Sequence, residues 1–462
     1  MSYQDPIAVP LSGNPWIDGL TDGYRWGTTK DNPAVGYTFI SDTREKPGGE
    51  FGGYPSWGWS DEERQLMENA MDNVAKVCGI EFVDRGDDND DEVEIWFYNL
   101  DNSSSEGSYG FTYTPGSDSD EGLVAINWSA YQNQDGSFKN SIASGSFYGI
   151  TFLHELSHAV GLKHPHDRGL KGQPRFPGLT RNSNEFRDSG DYGQNAHPWT
   201  QLSYVDKSAK NGLVPDRIEA YGFLQSLGAL DVAALQWLYG TNGRTAGGND
   251  VYRLPQKNQE GTGWQSIWDT GGTDRIDGSG AKKAVRIDLR NATLDLSEAA
   301  GGYVSRVDGV DGGFTIAYDW DGQTIDKTTA GCVIENASGG KKADLLIGNF
   351  ADNQLKGGKG RDILFAGAGR QNRSIGGKGK DQFWIDSGAE SFVKITDFKS
   401  GQDYLVFDEG INKESVDLRL RSKHTKIFIA DAQVGLVKNG QVDEQDVLFT
   451  DFSATLDPAS EF

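Results

Sequence analysis

The stretch HELSHAVGLKHPH, residues 154–166, decides the fold of the first half of this 462-residue chain. Two histidines four residues apart lie on one face of a helix and can bind one ion. A glycine then allows the positive φ that ends a helix, so the chain can return a third histidine to that ion. The spacing H-E-x-x-H-x-x-G-x-x-H is filled by His154, Glu155, His158, Gly161 and His164.

These residue types predict a catalytic zinc site. Three neutral imidazoles bind zinc and leave its fourth position for water, whereas structural zinc sites are closed by four protein ligands. We expect Glu155 to take a proton from that water and pass it to the leaving amine. The alternative, a buried helix with incidental histidines, does not account for the glycine and the third histidine at these offsets.

Composition limits the remaining choices. The chain has 68 acidic and 44 basic residues and a net charge of −24, which argues against binding to nucleic acid or to anionic membranes. No apolar run approaches the ~20 residues of a membrane span. The first 16 residues contain neither a basic nor an apolar region, so we expect no cleaved N-terminal signal. Cys78 and Cys332 are expected to be two buried thiols rather than a disulfide.

The pattern of apolar residues predicts an α+β first domain over residues 1–243, with residues 1–30 as a lead-in arm. An amphipathic helix is expected from Ser60 to Cys78, with Ser60 and Glu63 as a capping box. Strands are expected at 80–84, 93–98 and 122–127, one of them bordering the cleft where an extended substrate pairs. The helix with the zinc ligands follows, and a helix near residues 230–239 closes the domain.

A repeat of nine residues, with one unit of ten, occupies residues 339–385. Its units are GGKKADLLI, GNFADNQLK, GGKGRDILF, AGAGRQNRSI and GGKGKDQFW. They match the pattern G-G-x-G-x-D-x-U-x, in which glycines form a tight loop, aspartate and carbonyl oxygens hold calcium, and the apolar residue enters the core. The sequence therefore predicts an all-β parallel β-roll over residues 244–462. A glycine-rich linker, the alternative, would not carry recurring apolar positions.

The units differ in their cation ligands. Successive units alternate between the two sides of a roll, so every second loop stacks. One side receives the loops that end in Asp344, Asp362 and Asp381, and the other receives those that end in Asn353 and Gln371. We therefore expect calcium mainly on the first side, in about two sites. The residues predicted to form them are Gly339, Asp344, Gly357, Gly358, Gly360, Asp362, Gly376, Gly377, Gly379 and Asp381.

The zinc motif with its trailing Pro165, followed by a calcium repeat, resembles the serralysin family of metzincin zinc endopeptidases with C-terminal calcium-binding (RTX) repeats. AALQWLYG at 233–240 looks like the end of that family's protease domain. WDTGGTDRIDGSG at 268–280 looks like its first calcium segment, and IENASGG at 334–340 looks like the lead-in to its repeat. The resemblance implies further calcium ligands at Gly248, Asp250, Asp269, Gly271 and Asp274.

The resemblance also assigns a turn below the zinc, which in the family has the sequence Met-Ser-Tyr. Here the matching residues are Leu202, Ser203 and Tyr204. Leucine has nearly the volume of methionine, so we expect the apolar floor and the activity to survive. The resemblance implies that Tyr204 ligates zinc at rest and stabilises the oxyanion during reaction. The alternative for Tyr204 is a packed loop aromatic, and we expect His166, the next histidine, to be an exposed loop residue.

Together these features predict a secreted, extracellular zinc endopeptidase that cuts protein substrates and is stabilised by several calcium ions. The resemblance implies a type I exporter and a proteinaceous inhibitor as partners, and a monomer. The family often ends in an acidic residue followed by hydrophobic ones, whereas this sequence ends in TLDPASEF. Two alternatives are a non-catalytic calcium-roll binding protein or adhesin with a degenerate protease domain, and a zinc hydrolase of non-peptide amides or esters.

Overall fold

A computed structural model describes residues 3–41, 56–89, 91–100, 109–117, 120–131, 133, 137–138, 141–205, 220–318, 332–388 and 391–456. Within them the helices are α1 (Pro15–Leu20), α2 (Asp61–Val77), α3 (Gly149–Ala159), α4 (Ala229–Tyr239) and α5 (Ser453–Leu456). The strands of the first half are β1 (Pro6–Ala8), β2 (Tyr24–Trp26), β3 (Ala34–Phe39), β4 (Glu81–Asp84), β5 (Ile95–Leu100), β6 (Gly110–Thr112) and β7 (Leu123–Asn127).

The first half contains a five-stranded sheet in the order β4-β3-β5-β7-β6. Its strands are parallel except β6, which pairs antiparallel with β7 at one edge of the sheet. β4, β5 and β7 confirm the three predicted strands to within two residues, while β3 and β6 were not predicted. α3 contacts both β6 and β7, so the helix that carries the histidines lies against the sheet edge.

Helix α2 forms as the sequence predicts. The Ser60 amide donates to Glu63 Oε2 at 2.8 Å, and the Glu63 amide donates to Ser60 Oγ at 3.3 Å, which completes the capping box. The apolar face buries Met67, Ala70, Met71, Val74 and Val77. Cys78, at its C-terminal cap, and Cys332 are both buried thiols that are not joined in a disulfide, as expected.

The second half is almost entirely β-structure. Its strands are β8 (Val251–Arg253), β9 (Trp264–Ile267), β10 (Arg275–Asp277), β11 (Val285–Asp288), β12 (Ser305–Val307), β13 (Gly313–Ile316), β14 (Asn336–Ser338), β15 (Leu345–Ile347), β16 (Gln354–Lys359), β17 (Ile363–Phe365), β18 (Asn372–Lys378), β19 (Gln382–Ile385), β20 (Val393–Ile395), β21 (Tyr404–Asp408), β22 (Val416–Arg421), β23 (His424–Ile429), β24 (Ala432–Val437) and β25 (Val447–Thr450).

These strands form two nine-stranded sheets, and the chain alternates between them from β14 to β21. One sheet has the order β22-β23-β24-β20-β18-β16-β14-β10-β8, and the other has the order β25-β21-β19-β17-β15-β11-β12-β13-β9. All pairs formed among β14–β21 are parallel. Leu346, Leu364 and Phe383 lie in register and are buried, so each unit sends an apolar residue into the core. The large parallel-rich sheets agree with the predicted roll.

Residues on the two sides of position 243 are in contact with each other. The domain boundary placed there from the sequence stays a prediction. Within the predicted lead-in arm, Trp16 and Leu20 are fully buried. Trp16 Nε1 donates to the carbonyl of Asp295 at 2.8 Å, and Asn14 Nδ2 donates to that of Leu294 at 2.8 Å. The N-terminal segment therefore contacts both α4 and a loop of the second half. None of the described helices is long and apolar enough to cross a membrane.

Candidate metal centres

Helix α3 and the turn after it position the three histidines. The helix is anchored by buried Phe152, Leu156 and Ala159, and it ends just before Gly161, whose φ is +96°. A Cβ on Gly161 would lie 2.4 Å from the carbonyl oxygen of Tyr24, so only glycine fits this turn. The chain then reverses and brings the third histidine back beside the helix.

The three Nε2 atoms converge on one point. The distance from His154 to His164 is 3.1 Å, that from His158 to His154 is 3.2 Å, and that from His158 to His164 is 3.1 Å. Ligand nitrogens of a tetrahedral zinc lie about 3.3 Å apart, given Zn–N bonds of about 2.0–2.1 Å. The triangle of nitrogens therefore fits zinc.

The other ring nitrogen of each histidine has an acceptor, which fixes the rings. His154 Nδ1 lies 3.1 Å from the carbonyl of Gln201, and His158 Nδ1 lies 2.8 Å from that of Leu162. His164 Nδ1 lies 2.9 Å from Asp167 Oδ2. With its proton on Nδ1, each ring turns an Nε2 lone pair toward the shared point.

Burial keeps these imidazoles neutral. The pKa of His154 and that of His158 are both lowered to about 3, first by burial and then by a neighbouring histidine, which is His158 for His154 and His164 for His158. Burial likewise lowers the pKa of His164 to about 4, although Asp167 opposes the shift. Neutral imidazole is the form that binds a metal, so the set is ready to bind at neutral pH.

Glu155 lies under the edge strand β6. Thr112 Oγ1 donates to Glu155 Oε2 at 2.9 Å, and a Cβ on Gly110 would lie 2.7 Å from Glu155 Cγ. The carboxyl group is buried, which raises the pKa of Glu155 to about 8, while the Thr112 hydrogen bond lowers it. Thr112 and Gly110 were not predicted from the sequence.

Comparison with known proteins agrees with this geometry. Residues 231–457 match the family described as Peptidase M10 serralysin C terminal. A serralysin of Photorhabdus luminescens is 29% identical over 348 residues, which cover 72% of this chain and 62% of that protein. The metallopeptidase AprA of Pseudomonas marginalis is 29% identical over 338 residues, 69% of this chain and 61% of the relative.

The chain is therefore similar to serralysin-type metzincin proteases. The resemblance drawn from the sequence is therefore confirmed. A serralysin of Proteus mirabilis is 27% identical over 328 residues, 66% of this chain and 58% of that protein. The chain spans about three fifths of the length of these curated relatives.

The turn for which the resemblance implies methionine holds Leu202 here, and this side chain is fully buried. Asp231, in the first turn of α4, fixes the turn: Thr200 Oγ1 and the Gln201 amide each donate to its carboxylate at 2.6 Å. The same Gln201 holds the ring of His154 through its carbonyl. The contribution of Asp231 was not predicted.

Tyr204 follows that turn and reaches the histidine cluster. Its hydroxyl lies 2.8 Å from His164 Nε2, and its ring stacks on Phe186 with centroids 5.5 Å apart. Burial and then the charge of Glu155 raise the pKa of Tyr204, so the hydroxyl keeps its proton at neutral pH. Tyr204 lines a cavity of about 380 Å³ together with Glu155, His158 and Arg168.

His166 is not the exposed loop residue expected from the sequence. Its ring stacks on His164 with centroids 5.0 Å apart and an angle of 8°, and its side chain is 17% exposed. Glu185 Oε2 lies 3.4 Å from its Nε2. The signal missed here was its position two residues after His164, where the returning chain packs against the cluster.

The predicted first calcium segment brings its carboxylates together. Candidate ligand oxygens of Asp250, Asp269 and Asp274 lie within 4.8 Å of one another. Asp274 Oδ2 is buried and, among the described residues, has no hydrogen-bond partner. Burial and then Asp269 raise the pKa of Asp274 to about 6. An unpartnered carboxylate oxygen inside an acidic cluster fits a hard cation such as calcium.

Gly248 and Gly271 adjoin this cluster. A Cβ on Gly272 would lie 1.6 Å from the carbonyl oxygen of Gly248, so the two loops are in close contact. The φ of Gly271 is +149°, and its amide donates to Asp269 Oδ1 at 3.1 Å. All five residues of this predicted segment are therefore in one place.

The aspartates of the repeat form a stack, here called the aspartate stack. The Asp344 amide donates to Asp362 Oδ1 at 2.9 Å, and the Asp362 amide donates to Asp381 Oδ1 at 3.1 Å. The stack continues to Asp403, whose Oδ1 accepts from the Asp381 amide at 3.1 Å. Asp403 was not predicted, because it lies beyond the repeat.

Like the cluster at Asp274, the aspartate stack contains a carboxylate oxygen that is suited to bind a cation. Asp362 Oδ2 is buried and without a hydrogen-bond partner in the described part of the chain. Burial, then the charges of Asp344 and Asp381, raise the pKa of Asp362 to about 8. The predicted glycines form the loops around these carboxylates, four of them at positive φ: Gly358, Gly360, Gly377 and Gly379. A Cβ on any of the other three would lie within 2.8 Å of a stack carboxylate oxygen: Gly339, Gly357 and Gly376.

One register prediction was wrong. On the other side of the roll, Asn372 rather than Gln371 occupies the aspartate position, because Asn372 Oδ1 accepts from the Asn353 amide at 2.8 Å. Gln371 instead donates its amide to exposed Asp352 at 2.8 Å. The ten-residue unit has its extra residue before this position, so the residue that corresponds to the aspartate comes one place later in the sequence.

Proposed function

We propose that the chain is a secreted zinc-dependent endopeptidase whose roll binds calcium. The observation that carries the proposal is the convergence of three histidine Nε2 atoms, 3.1–3.2 Å apart, beside a buried glutamate. Zinc bound there would polarise a peptide carbonyl and acidify a water molecule. His154, His158 and His164 would hold it, with Tyr204 as a further ligand at rest.

Glu155 would act as the general base. Thr112 already donates to Oε2, which leaves Oε1 to take the proton and later deliver it to the leaving amine. Because Gly110 lies against the carboxylate, the group is held in one position and shielded from solvent. A cation beside a carboxylate lowers its pKa, so the loaded enzyme would have Glu155 ionised at neutral pH.

Tyr204 would donate a hydrogen bond from its hydroxyl to the oxyanion that forms from the peptide carbonyl. Its raised pKa keeps the proton on the phenol, as a donor requires. The position of β6 supports a peptide as the substrate, because it is the edge strand of the sheet in the described part of the chain and its Gly110 lies against Glu155. An extended peptide can add to such an edge through main-chain hydrogen bonds.

Calcium would occupy the cluster at Asp250, Asp269 and Asp274 and the aspartate stack. Both contain a buried carboxylate oxygen without a hydrogen-bond partner in the described chain. Such ligands bind calcium well when the external concentration is high, so folding would be coupled to export. The extracellular location, the type I exporter, the proteinaceous inhibitor and the monomeric state are supported by the family resemblance alone.

Two alternatives make different predictions. A non-catalytic binding protein is favoured only by the replacement of the turn methionine with Leu202, and the positions of Glu155 and Tyr204 oppose it. A zinc hydrolase acting on non-peptide amides or esters would use the same metal ligands, and the β6 edge beside Glu155 argues for a peptide instead.

The test is cleavage of casein by the zinc- and calcium-loaded chain, compared with Glu155→Gln. We expect the variant to retain zinc and to lose about 10³-fold in kcat/KM, because it cannot take up the proton. Glu81→Gln, on exposed strand β4, is the matched control and should cleave normally. A folded, zinc-occupied wild type that cuts no protein would contradict the proposal, as would equal cleavage by Glu155→Gln.

A further inference from the structure

The two sides of the roll have different residues at the last position of each loop: aspartate on one side and asparagine on the other. On one side lie the loops 339–344, 357–362 and 376–381, which end in the aspartate stack. On the other side lie the loops 348–353 and 367–372, here called the asparagine side. In both, the amide of the last residue donates to the side-chain oxygen of the next loop on that side: 2.9 Å from Asp344 to Asp362, and 2.8 Å from Asn353 to Asn372. The backbone arrangement is therefore shared.

The side-chain amide of Asn372 uses the carbonyls of its own loop. Its Nδ2 donates to the carbonyl of Gly367 at 3.1 Å and to that of Gly369 at 2.8 Å. Ser391 Oγ also donates to the Gly367 carbonyl, at 3.1 Å. Backbone carbonyls at these loop positions are the oxygens that calcium uses in such a repeat. Here they accept N–H and O–H groups of the protein.

Asn353 and Asn349 form the matching contacts in the preceding loop. Asn353 Nδ2 donates to the Glu335 carbonyl at 3.1 Å and to Asn349 Oδ1 at 2.9 Å. Asn349 Nδ2 donates in turn to the carbonyls of Leu289 and Ile334, at 2.9 and 3.0 Å. Both asparagines are buried, and their amides link this loop to two segments that precede it.

The side-chain oxygens of these asparagines are also in use. Asn353 Oδ1 accepts from the Asn349 amide at 2.7 Å, and Asn372 Oδ1 accepts from the Asn353 amide at 2.8 Å. The single carboxylate in these two loops, Asp352, is exposed and accepts from the amide of Gln371. A cation here would have to displace several hydrogen bonds without a buried negative charge in return.

The aspartate stack shows the opposite state. A carboxylate donates no hydrogen bond, and Asp362 Oδ2 is buried without a partner in the described residues. An asparagine at the same step supplies two N–H groups, which backbone carbonyls and, for Asn353, the side-chain oxygen of Asn349 accept. The stack needs a cation to neutralise its charge, whereas the asparagine side carries its own donors.

We propose that Asn349, Asn353 and Asn372 take the place of calcium on their side of the roll, so that this side is closed without a cation. The inference rests on the proposed calcium function in one respect: the aspartate stack, with which the asparagine side is compared, is taken to bind calcium. The roll is then calcium-dependent along one side, and the asparagine side keeps its loops in place in calcium-free surroundings.

The test replaces asparagine by aspartate on one side of the roll and aspartate by asparagine on the other. In the full chain, Asn353→Asp together with Asn372→Asp removes four amide hydrogen bonds and introduces two buried charges. We expect the Tm in EGTA to fall by on the order of 5 °C or more. Calcium should restore it and should raise the number of calcium ions bound per chain in equilibrium dialysis. The reciprocal variant, Asp362→Asn, should bind fewer calcium ions and lose less stability on chelation than the wild type.

Two controls keep the outcomes separate. Asn372→Ala removes the donors without adding charge, so its Tm in EGTA should fall and calcium should not restore it. An unchanged Tm in EGTA for the double aspartate variant would overturn the inference, as would a loss of bound calcium in Asn372→Ala. If the double variant does not fold, Asn372→Asp alone is measured in the same way. A wild type that binds no calcium would contradict the proposed calcium function instead, and the EGTA measurements would still decide the inference.

Discussion

The histidine cluster and the aspartate stack are both candidate cation sites, and burial acts on them in opposite ways. Burial lowers the pKa of His154, His158 and His164 and leaves them neutral, with each Nδ1 held by an acceptor. Burial, together with the charges of Asp344 and Asp381, raises the pKa of Asp362 to about 8. The histidines therefore keep their geometry without a metal, whereas the ionised aspartates repel one another until a cation is bound.

The largest expected effect is on the calcium-free chain as a function of pH. The pKa of Asp344 and of Asp381 is raised to about 6, and that of Asp362 to about 8, so the folded chain binds more protons than the unfolded chain over this range. The contribution of the stack to the free energy of unfolding should therefore fall as pH rises from about 4 to about 8, by on the order of 3 kcal/mol. The three histidines, whose pKa is lowered, act in the opposite sense, so this contribution is read from the difference between the wild type and Asp362→Asn.

Urea unfolding of the calcium-stripped chain at pH 5 and pH 8, followed by tryptophan fluorescence, measures this difference. Asp362→Asn is the matched control and should show a smaller dependence on pH. Saturating calcium should remove the deficit at pH 8, by roughly 4 kcal/mol for each site filled a thousandfold above its Kd. A calcium-free wild type that loses no more stability than Asp362→Asn between pH 5 and pH 8 would show that the charge of the stack does not destabilise the chain.

An intermediate effect is expected from Asp167, whose carboxylate holds the ring of His164, one of the three proposed zinc ligands. Its Oδ2 accepts from His164 Nδ1 at 2.9 Å, whereas the other two histidines are held by backbone carbonyls. Asp167→Ala should weaken zinc binding by about 10–100-fold, since the ring loses its orientation and basicity.

Competition with a chromophoric chelator measures this affinity. Asp167→Asn keeps an acceptor oxygen and should lose less than the alanine variant. Equal zinc affinity in the wild type and in Asp167→Ala would mean that packing alone, such as the stacking of His166 on His164, holds the third ligand. The histidine cluster would then be more preorganised than its hydrogen bonds suggest.

The parts of the sites that the sequence predicts are those encoded by local spacing. The separations within residues 154–164 follow from a helix and one turn, and the alternation of the roll follows from a nine-residue period. Thr112 and Asp231 could not be found in this way, because they reach the site only through the pairing of β6 with β7 and the packing of α4.

The errors within the repeat have a similar cause. The ten-residue unit does not indicate where its extra residue is placed, and only the pairing of Asn353 with Asn372 fixes that register. Asp403 is the next member of the stack, but it lies 22 residues after Asp381, a separation that the nine-residue period does not predict. The sequence pattern therefore predicts the roll and its alternation, while the ends of each stack depend on contacts between loops.

The smallest effect is expected at the turn where this chain departs from the family it resembles. Leu202 is fully buried, and methionine has nearly the same volume and polarity. Leu202→Met should change the free energy of unfolding by less than about 1.5 kcal/mol and leave casein cleavage within a few-fold of the wild type. Leu202→Ala, which opens a cavity below the histidines, should cost about 2–5 kcal/mol. If Leu202→Met instead raised cleavage or zinc retention tenfold, leucine would be a functional loss at this turn, and the non-catalytic alternative would gain its first direct support.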